Sequence, residues 1–469
     1  MLGSEILSAA DSNEAAAPPP PSIQPAKATN IVQEAGVSTN WLARPLSLTD
    51  CLNLALQQNS AVLKSRKDIE AVHGVIIQTR AIVVPKLAAQ GQFKSITDSS
   101  IDKFPFSQPG SPITIPISYP TESWGATVQL TQSIYEGGRI KASLRTARLL
   151  KEQALLNFQT VEAETVLQVR TAYAGVLLTS QQIEVQKAAI NLLEQELADA
   201  TRRFEAGTVP RFNVLRAEVE VANARPRLFK AQNAYRIAKN NLANVLGYHI
   251  PKEIWEDIPL QLTGKLEAEP IQVELPVALT QALARRPELG VLRKAESLRK
   301  EGIAMARAGY KPSVQMVGGF SSRNSSFSTD LANDVSGLYG GAQLSWNFFD
   351  GMLTKGKVDE ARALYEKAQL ELDDVTRQIE LEVRSAYSTL IEAQQVLESQ
   401  KKVQEQAEEA VRLARARSEA GTGTQLDLLN AQTSLTEART TQVVALRDYV
   451  IAQARFEKAI GLPESSSRK

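Results

Sequence analysis

The sequence contains an internal duplication, and this limits the available folds more than any other feature. Residues of the first half recur 227 positions later, and from Gln129 onward the recurrence holds at a spacing of 214. Chance does not produce so many matches in register, so we expect two copies of one structural repeat. The matching pairs include Leu48 and Leu275, Pro85 and Pro312, Gln129 and Gln343, Tyr173 and Tyr387, Gly207 and Gly421, and Gly247 and Gly461.

The duplication sets the expected organisation of the chain. Residues 1–45 are rich in Pro and Ala, include four consecutive prolines, and predict a disordered lead-in. We expect the first repeat at residues 46–260, the second at 261–463 and a short tail at 464–469. Each repeat begins with a helix of about 35 residues, then two short strands around a loop, and ends in very long helices.

Alternating apolar and polar residues predict two strands in each repeat. Around Trp124 and Val128 the apolar residues alternate with uncharged polar ones, and around Leu338 and Trp346 the pattern returns. Such alternation gives a strand one apolar and one polar face. A soluble sandwich is one explanation, but strands of about ten residues also suit a tilted crossing of a bilayer. Four strands cannot close on themselves, so a membrane location requires several chains to pool their strands.

The helices that follow the strands are unusually long. Between Arg139 and Glu205 there is no proline and only one glycine, Gly175. Residues 355–418 show the same pattern, without proline and with a single glycine. At 1.5 Å per residue, such a helix would extend roughly 100 Å. Rods of this length predict a coiled coil or the wall of a tube. In the shorter helix after the first turn, Pro226 should introduce a kink.

Composition and motifs exclude several functional classes. Lys and Arg number 53 against 52 Asp and Glu, which argues against a nucleic-acid partner. The single cysteine, Cys51, excludes an intramolecular disulfide, and His73 and His249 are too far apart to suggest a metal site. No catalytic or phosphate-binding motif is present, so we expect neither an enzyme nor a cofactor.

The N-terminal residues do not form a readable secretory signal. Two interpretations therefore remain open: a cytosolic protein, or a sequence that starts after or downstream of a removed signal. The cytosolic interpretation corresponds to a second hypothesis for function, a soluble coiled-coil scaffold protein.

The chain resembles a known protein family. The resemblance rests on the duplicated order of helices and strands and on two local sequence motifs. One is the strand-to-helix junction at residues 129–138, echoed at 343–351, and the other is the turn at 419–431. From about residue 46 to 462, the chain resembles the outer-membrane efflux protein family of the TolC type. The resemblance implies a mainly α fold with a small β part. It implies a homotrimer whose shared β-barrel in the outer-membrane lipid continues into a periplasmic α-helical barrel. Such a duct passively exports small molecules or polypeptides that an inner-membrane pump delivers through a periplasmic adaptor (membrane fusion) protein.

The resemblance also assigns roles at the far end of the tube. The tight turns containing Gly207 and Thr208, and Gly421 and Thr422, would dock the adaptor, with both glycines in the left-handed conformation that ends a helix. Asp427 would face the pore, where three copies form an acidic ring. Its alternative role is a capping-box carboxylate that stabilises the start of a helix.

Further residues depart from the family pattern or extend it. Asn430 stands where the family has a second acidic residue, which leaves one charge per chain in the ring. Polar links between the two turns hold such an entrance closed, and Arg211 and Asn213 are the candidates for them, with Arg211 able to pair with Asp427. Aromatic residues at strand ends would mark the edges of the hydrocarbon layer, unless they pack within an ordinary sheet. These are Trp124, Tyr339, Trp346 and Phe348.

Overall fold

A computed structural model describes residues 44–97, 99, 104–107, 114–117, 120–249, 257–267, 274–325 and 330–462. Nearly all of the predicted lead-in and the whole of the predicted tail lie outside these residues.

The fold is mainly helical with a small antiparallel sheet, as the sequence predicts. The first repeat contains α1 (Leu48–Gln58), α2 (Ser60–Arg80), β1 (Lys86–Ser95), β2 (Phe104–Ser107), β3 (Thr114–Ile117), β4 (Glu122–Glu136), α3 (Arg139–Glu205) and α4 (Arg211–Val245). The second contains α5 (Leu275–Arg285), α6 (Pro287–Arg307), β5 (Ser313–Asn324), β6 (Asp334–Ser345), α7 (Leu353–Glu419) and α8 (Gln425–Ala459). Helices α3 and α7 both have 67 residues, and α4 and α8 both have 35.

The first helical segment of each repeat is two helices, where the sequence predicts one. Asn59 separates α1 from α2 in an extended conformation, and its side-chain oxygen accepts a 2.8 Å hydrogen bond from the N–H of Ala61. Its amide group donates to the carbonyl of Val245 at 2.7 Å. In the second repeat Arg286 takes this place, because the proline at position 287 disfavours a helical conformation in the residue before it.

The segment predicted as a loop between the first two strands contains a further hairpin. Strands β2 and β3 pair antiparallel, with Phe104 opposite Ile117 and Phe106 opposite Ile115. The prediction of four strands is therefore wrong, because it misses β2 and β3. Aromatic and β-branched residues favour strand pairing here although each strand contains a proline, Pro105 opposite Pro116.

The other four strands form one sheet in the order β1-β4-β5-β6, antiparallel throughout. Pairing places Leu87, Leu130 and Gly318 in one cross-strand row and Val128, Phe320 and Leu338 in the next, all on the same face. The residues between them, including Thr127, Gln129 and Ser321, share the opposite face. The prediction of one apolar and one polar, nearly uncharged face is confirmed, with Lys86, Lys94 and Arg323 on the polar face near the strand ends.

The apolar face is exposed in the single chain, and so are the outer strands. Leu338 is 87% exposed and Leu87 72%. Every residue of β1 and of β6 is exposed, since each of these strands has a neighbour on one side only. A contiguous exposed apolar surface of this kind marks a face that contacts lipid or protein.

The helices pack into two apolar cores, the first built mainly from the first repeat together with Val443 and Ile451 of α8, and the second from the second repeat. Val169, Tyr173 and Leu242 lie in the first, and Val383, Tyr449 and Phe456 in the second. Ion pairs join the repeats, since Arg170 of α3 contacts Glu457 of α8 and Lys458 of α8 contacts Glu164 of α3. Helix α4 continues on both sides of Pro226. None of the described helices combines the length and apolar character that crossing a bilayer requires.

Replacing Phe456 tests the second core. Its side chain is fully buried and lies 5.9 Å from the ring of Tyr387, centroid to centroid. We expect Phe456→Ala to lower the free energy of unfolding by roughly 3–5 kcal/mol, because it removes buried apolar area and leaves a cavity. Phe456→Leu is the matched control and should cost about 1–1.5 kcal/mol. Thermal unfolding followed by circular dichroism measures both, and equal losses would contradict this packing.

Candidate functional site

The turns that end α3 and α7 have the same geometry. Gly207 and Gly421 both have a φ angle of +74°, a left-handed backbone conformation that residues other than glycine rarely adopt. The N–H of Gly207 donates to the carbonyl of Phe204 at 2.9 Å, and that of Gly421 donates to Ser418 at 3.2 Å. The predicted glycine caps of both helices are confirmed.

The threonines that follow these glycines complete the two turns. Thr208 donates from its N–H and its hydroxyl to the carbonyl of Arg203, at 2.9 and 2.8 Å. Thr422 makes the same two bonds to Arg417, at 3.0 and 3.4 Å. Both threonines and both glycines are exposed, so the turns present a rigid, solvent-facing surface.

Asp427 forms the capping box that its alternative role predicts. The N–H of Asp427 donates to the Thr424 hydroxyl at 3.1 Å, and the N–H of Thr424 donates to the Asp427 carboxylate at 3.1 Å. The Thr424 hydroxyl also donates to this carboxylate at 2.7 Å. These bonds, followed by the charge of Arg417, hold the pKa of Asp427 below its usual value.

Asp427 and Asn430 lie one helical turn apart on α8, and both are exposed. The proposed partner Arg211 is exposed as well. Among the described residues, no ion pair joins Arg211 to Asp427 within the single chain. The carboxylate instead turns back toward Thr424, which explains why the predicted pair does not form there.

A different residue connects the two turns. The side chain of Gln425 donates from Nε2 to the backbone carbonyl of Asn213 at 3.3 Å, which ties the start of α8 to the start of α4. Asn213 therefore takes part through its backbone rather than its amide group. The sequence holds a signal for this link, since Gln425 occupies the position in the second repeat that Arg211 occupies in the first.

Gln425 also interacts with Glu196, a partly buried residue of α3. Burial raises the pKa of Glu196, and the charge of Asp199 adds to this effect. Arg203, Arg415 and a hydrogen bond with Gln425 oppose it. Near the turns, Gln425 therefore joins α8 to both α3 and α4.

Three of the four predicted aromatic residues lie near the ends of the sheet. Trp124 is the third residue of β4, and its indole N–H donates to the carbonyl of Leu331 at 2.9 Å. Trp346 follows β6 at the opposite end and donates to the carbonyl of Tyr310 at 3.2 Å. Phe348, two residues farther on, is 87% exposed.

The prediction that Tyr339 lies at a strand end is wrong. Tyr339 lies in the middle of β6, opposite Gly319 of β5 and on the polar face of the sheet. A Cβ atom on Gly319 would lie 3.0 Å from the Tyr339 hydroxyl and 2.2 Å from the carbonyl oxygen of Val128. Residue 319 must therefore be glycine, and the close approach fixes Tyr339 against the polar face.

Replacing Glu196 tests the packing near the turns. A raised carboxyl pKa means that the fold disfavours the charged form, and this cost is present at neutral pH and disappears as the pH falls below about 4.3. We therefore expect Glu196→Gln to raise the melting temperature at pH 7.5 and the gain to shrink toward pH 4. The control is Glu218→Gln, at an exposed residue in the interior of α4, which should show no such gain. A variant no more stable than the wild type at pH 7.5 would contradict this account.

Comparison with known proteins identifies relatives along most of the chain. It is 26% identical over 356 residues to the alkaline protease secretion protein AprF of Pseudomonas aeruginosa, covering 73% of this chain and 70% of AprF. It is 23% identical over 350 residues to the outer membrane protein TolC of Escherichia coli, covering 72% of this chain and 69% of TolC. The fold matches the crystal structure of the CmeC outer membrane channel of Campylobacter jejuni with a TM-score of 0.72 at 14% identity, covering 88% of this chain and 85% of CmeC.

The family model described as "Outer membrane efflux protein" matches residues 51–248 and 278–462. These two segments hold both repeats, including the two turns and α8. We conclude that the chain belongs to the outer membrane efflux protein family and is an outer-membrane channel that extends into the periplasm.

Proposed function

We propose that three copies of this chain form a passive exit duct for a tripartite efflux or type I secretion system. The observation that carries this proposal is the sheet, which has one exposed apolar face and two unpaired edge strands. Three such sheets would give a closed barrel of twelve strands, with apolar residues toward lipid and polar residues toward water. The number three comes from the family resemblance.

The second hypothesis, a soluble coiled-coil scaffold, is wrong, because family membership assigns the chain to the outer membrane. The same result supports a channel rather than an enzyme. The relative AprF is a protease secretion protein, which favours polypeptides as one class of cargo for the proposed duct. Small molecules remain the other class that the family resemblance implies.

At the periplasmic end, we propose that the two glycine turns dock the adaptor protein, which in turn connects the duct to an inner-membrane pump. Gly207, Thr208, Gly421 and Thr422 support this role because they form two similar exposed surfaces. Their internal hydrogen bonds reduce the entropy that docking would cost, since the turns are already ordered.

We further propose that Asp427 lines the pore entrance. Its carboxylate is exposed near the tip of the helices, and Asn430 lies beside it without adding charge. Three such carboxylates around one narrow opening would attract cations and repel anions.

A matched pair of substitutions tests the membrane barrel. Gly340 lies on the apolar face of β6 and its neighbour Gly341 on the polar face, and neither position has an atom that a Cβ would clash with. Near the bilayer midplane we expect Gly340→Arg to cost roughly 2–4 kcal/mol, because it places a charge in lipid. Gly341→Arg would face water and should be tolerated.

The readout is the amount of each variant in outer-membrane fractions, together with its mass by native mass spectrometry. The wild type and Gly341→Arg should give a species of three 51.2 kDa chains. Equal tolerance of both substitutions would contradict the lipid-facing assignment, and a functional monomer would contradict the pooled barrel.

A second test concerns the entrance. In planar bilayers, Asp427→Ala should lower cation selectivity and weaken block by multivalent cations, because it removes the acidic ring. Asn430→Asp should change both in the opposite direction by restoring a second ring. Thr424→Ala is the matched control, since it removes the capping partner but keeps the charge. If Asp427→Ala leaves both quantities unchanged, Asp427 is a helix cap only.

A further inference from the structure

A cleft of about 400 Å³ lies between α3, α6 and α7, away from the turns and the proposed pore entrance. Its walls include Leu150 of α3, Leu298 and Met305 of α6, and Leu364 of α7. Clefts of roughly 300–1,000 Å³ with mainly apolar walls and a few polar groups are typical small-molecule sites. The described part of the chain therefore contains a space of ligand size outside the site discussed above.

Small residues keep this cleft open. Gly302 of α6 lies in its wall, and a Cβ atom there would meet no atom within 4 Å. Ala295 and Ala361 line it as well, so neighbouring helices do not fill the space with side chains.

Arg299 places a positive charge at the cleft. Two neighbouring cations of α3 and α6 are paired, Arg145 with Glu301 at 3.2 Å and Lys294 with Glu152 at 2.7 Å. Among the described residues, Arg299 has no carboxylate within 4 Å and no hydrogen-bonded side-chain partner. Its guanidinium can therefore bind an anionic group in a bidentate manner.

Thr146 adds an unpaired polar group to the same wall. Its hydroxyl is buried and has no hydrogen-bond partner. Other threonines of α3, such as Thr160 and Thr165, donate to the carbonyl one helical turn earlier. A ligand that carries a hydrogen-bond acceptor would satisfy this hydroxyl after a change of side-chain rotamer.

The duplication supplies an internal comparison. Helices α2 and α6 occupy matching places in the two repeats, at a spacing of 227 residues. At the position of Gly302 the first repeat has Val75, and at the position of Arg299 it has Val72. The second repeat thus has no side chain where the first has a branched one, and a charged side chain where the first has an apolar one.

The cleft also belongs to a single chain. Helix α6 packs between α3 and α7, and α3, α6 and α7 of one chain supply all the residues that line the cleft. We propose that this cleft binds a small anionic amphiphile, with its apolar body against Leu150, Leu298 and Met305 and its carboxylate or sulfonate on Arg299. The site does not depend on the proposed pore entrance or on adaptor docking.

Calorimetric titration with 2-naphthalenesulfonate tests the proposal on the full-length protein in nanodiscs of zwitterionic lipid. The wild type should show saturable binding, and the neutral 2-naphthalenesulfonamide should bind roughly tenfold more weakly. Arg299→Gln should reduce the affinity for the sulfonate about tenfold and abolish the preference between the two probes. Gly302→Leu should fill the cleft and eliminate detectable binding of both.

Val75→Leu is the matched control, because it enlarges the corresponding residue of the first repeat and should leave the affinity unchanged. Melting temperatures within a few degrees of the wild type would show that all variants are folded. The absence of saturable binding by the wild type would overturn the proposal. Retained binding by Gly302→Leu, or an equal loss in Val75→Leu, would overturn it as well.

Discussion

The backbone hydrogen-bonding groups on the outer edges of β1 and β6 place the strongest constraint on this molecule. In water these groups can bond to solvent, but in hydrocarbon each unpaired group costs several kcal/mol. The apolar face of the same sheet nevertheless requires a nonaqueous environment. In the proposed membrane location, both requirements are met only when the edges pair with further strands, and the proposed duct therefore needs more than one copy of the chain.

The arrangement of the helices follows from the sheet. The strand order is β1-β4-β5-β6, and the helices that adjoin these strands, α2, α3, α6 and α7, pack against one another in the same order. The four-stranded sheet thus continues directly into a layer of four helices packed in the same order. The duplication makes this possible, because each repeat supplies two neighbouring strands and the two helices that extend them.

Sequence patterns predict the long periodic elements, whereas the missed features have both local and distant causes. The long helix expected at residues 355–418 is α7, which runs from Leu353 to Glu419, because an uninterrupted helical pattern without proline leaves no alternative. The break at Asn59 is not predicted, and the side chain of this residue bonds both to Ala61 nearby and to Val245, 186 residues away. The matching break at Arg286 is also missed, although Pro287 is a local signal for it. The contact between Gln425 and Asn213 spans 212 residues and is missed as well. Tyr339 is a different case. Strict alternation in the sequence places Tyr339 on the polar face, next to Leu338 on the apolar face. Its assignment to a membrane-interface band does not take this alternation into account.

At the turns, the two repeats show how one backbone geometry supports different chemistry. Both turns have the same glycine and threonine bonds, but only the second has a capping box, because Pro210 occupies the place of Thr424 in the first. The capping bonds lower the pKa of Asp427, whereas crowding of three carboxylates in a ring would raise it. An aspartate with an ordinary pKa of about 3.9 becomes neutral at pH 7 only after a shift of more than three units. By starting from a lowered value, the capping box gives the ring a margin against neutralisation. The cap and the ring are therefore compatible roles of one residue, and the hydrogen bonds that begin α8 would help to keep the proposed entrance charged.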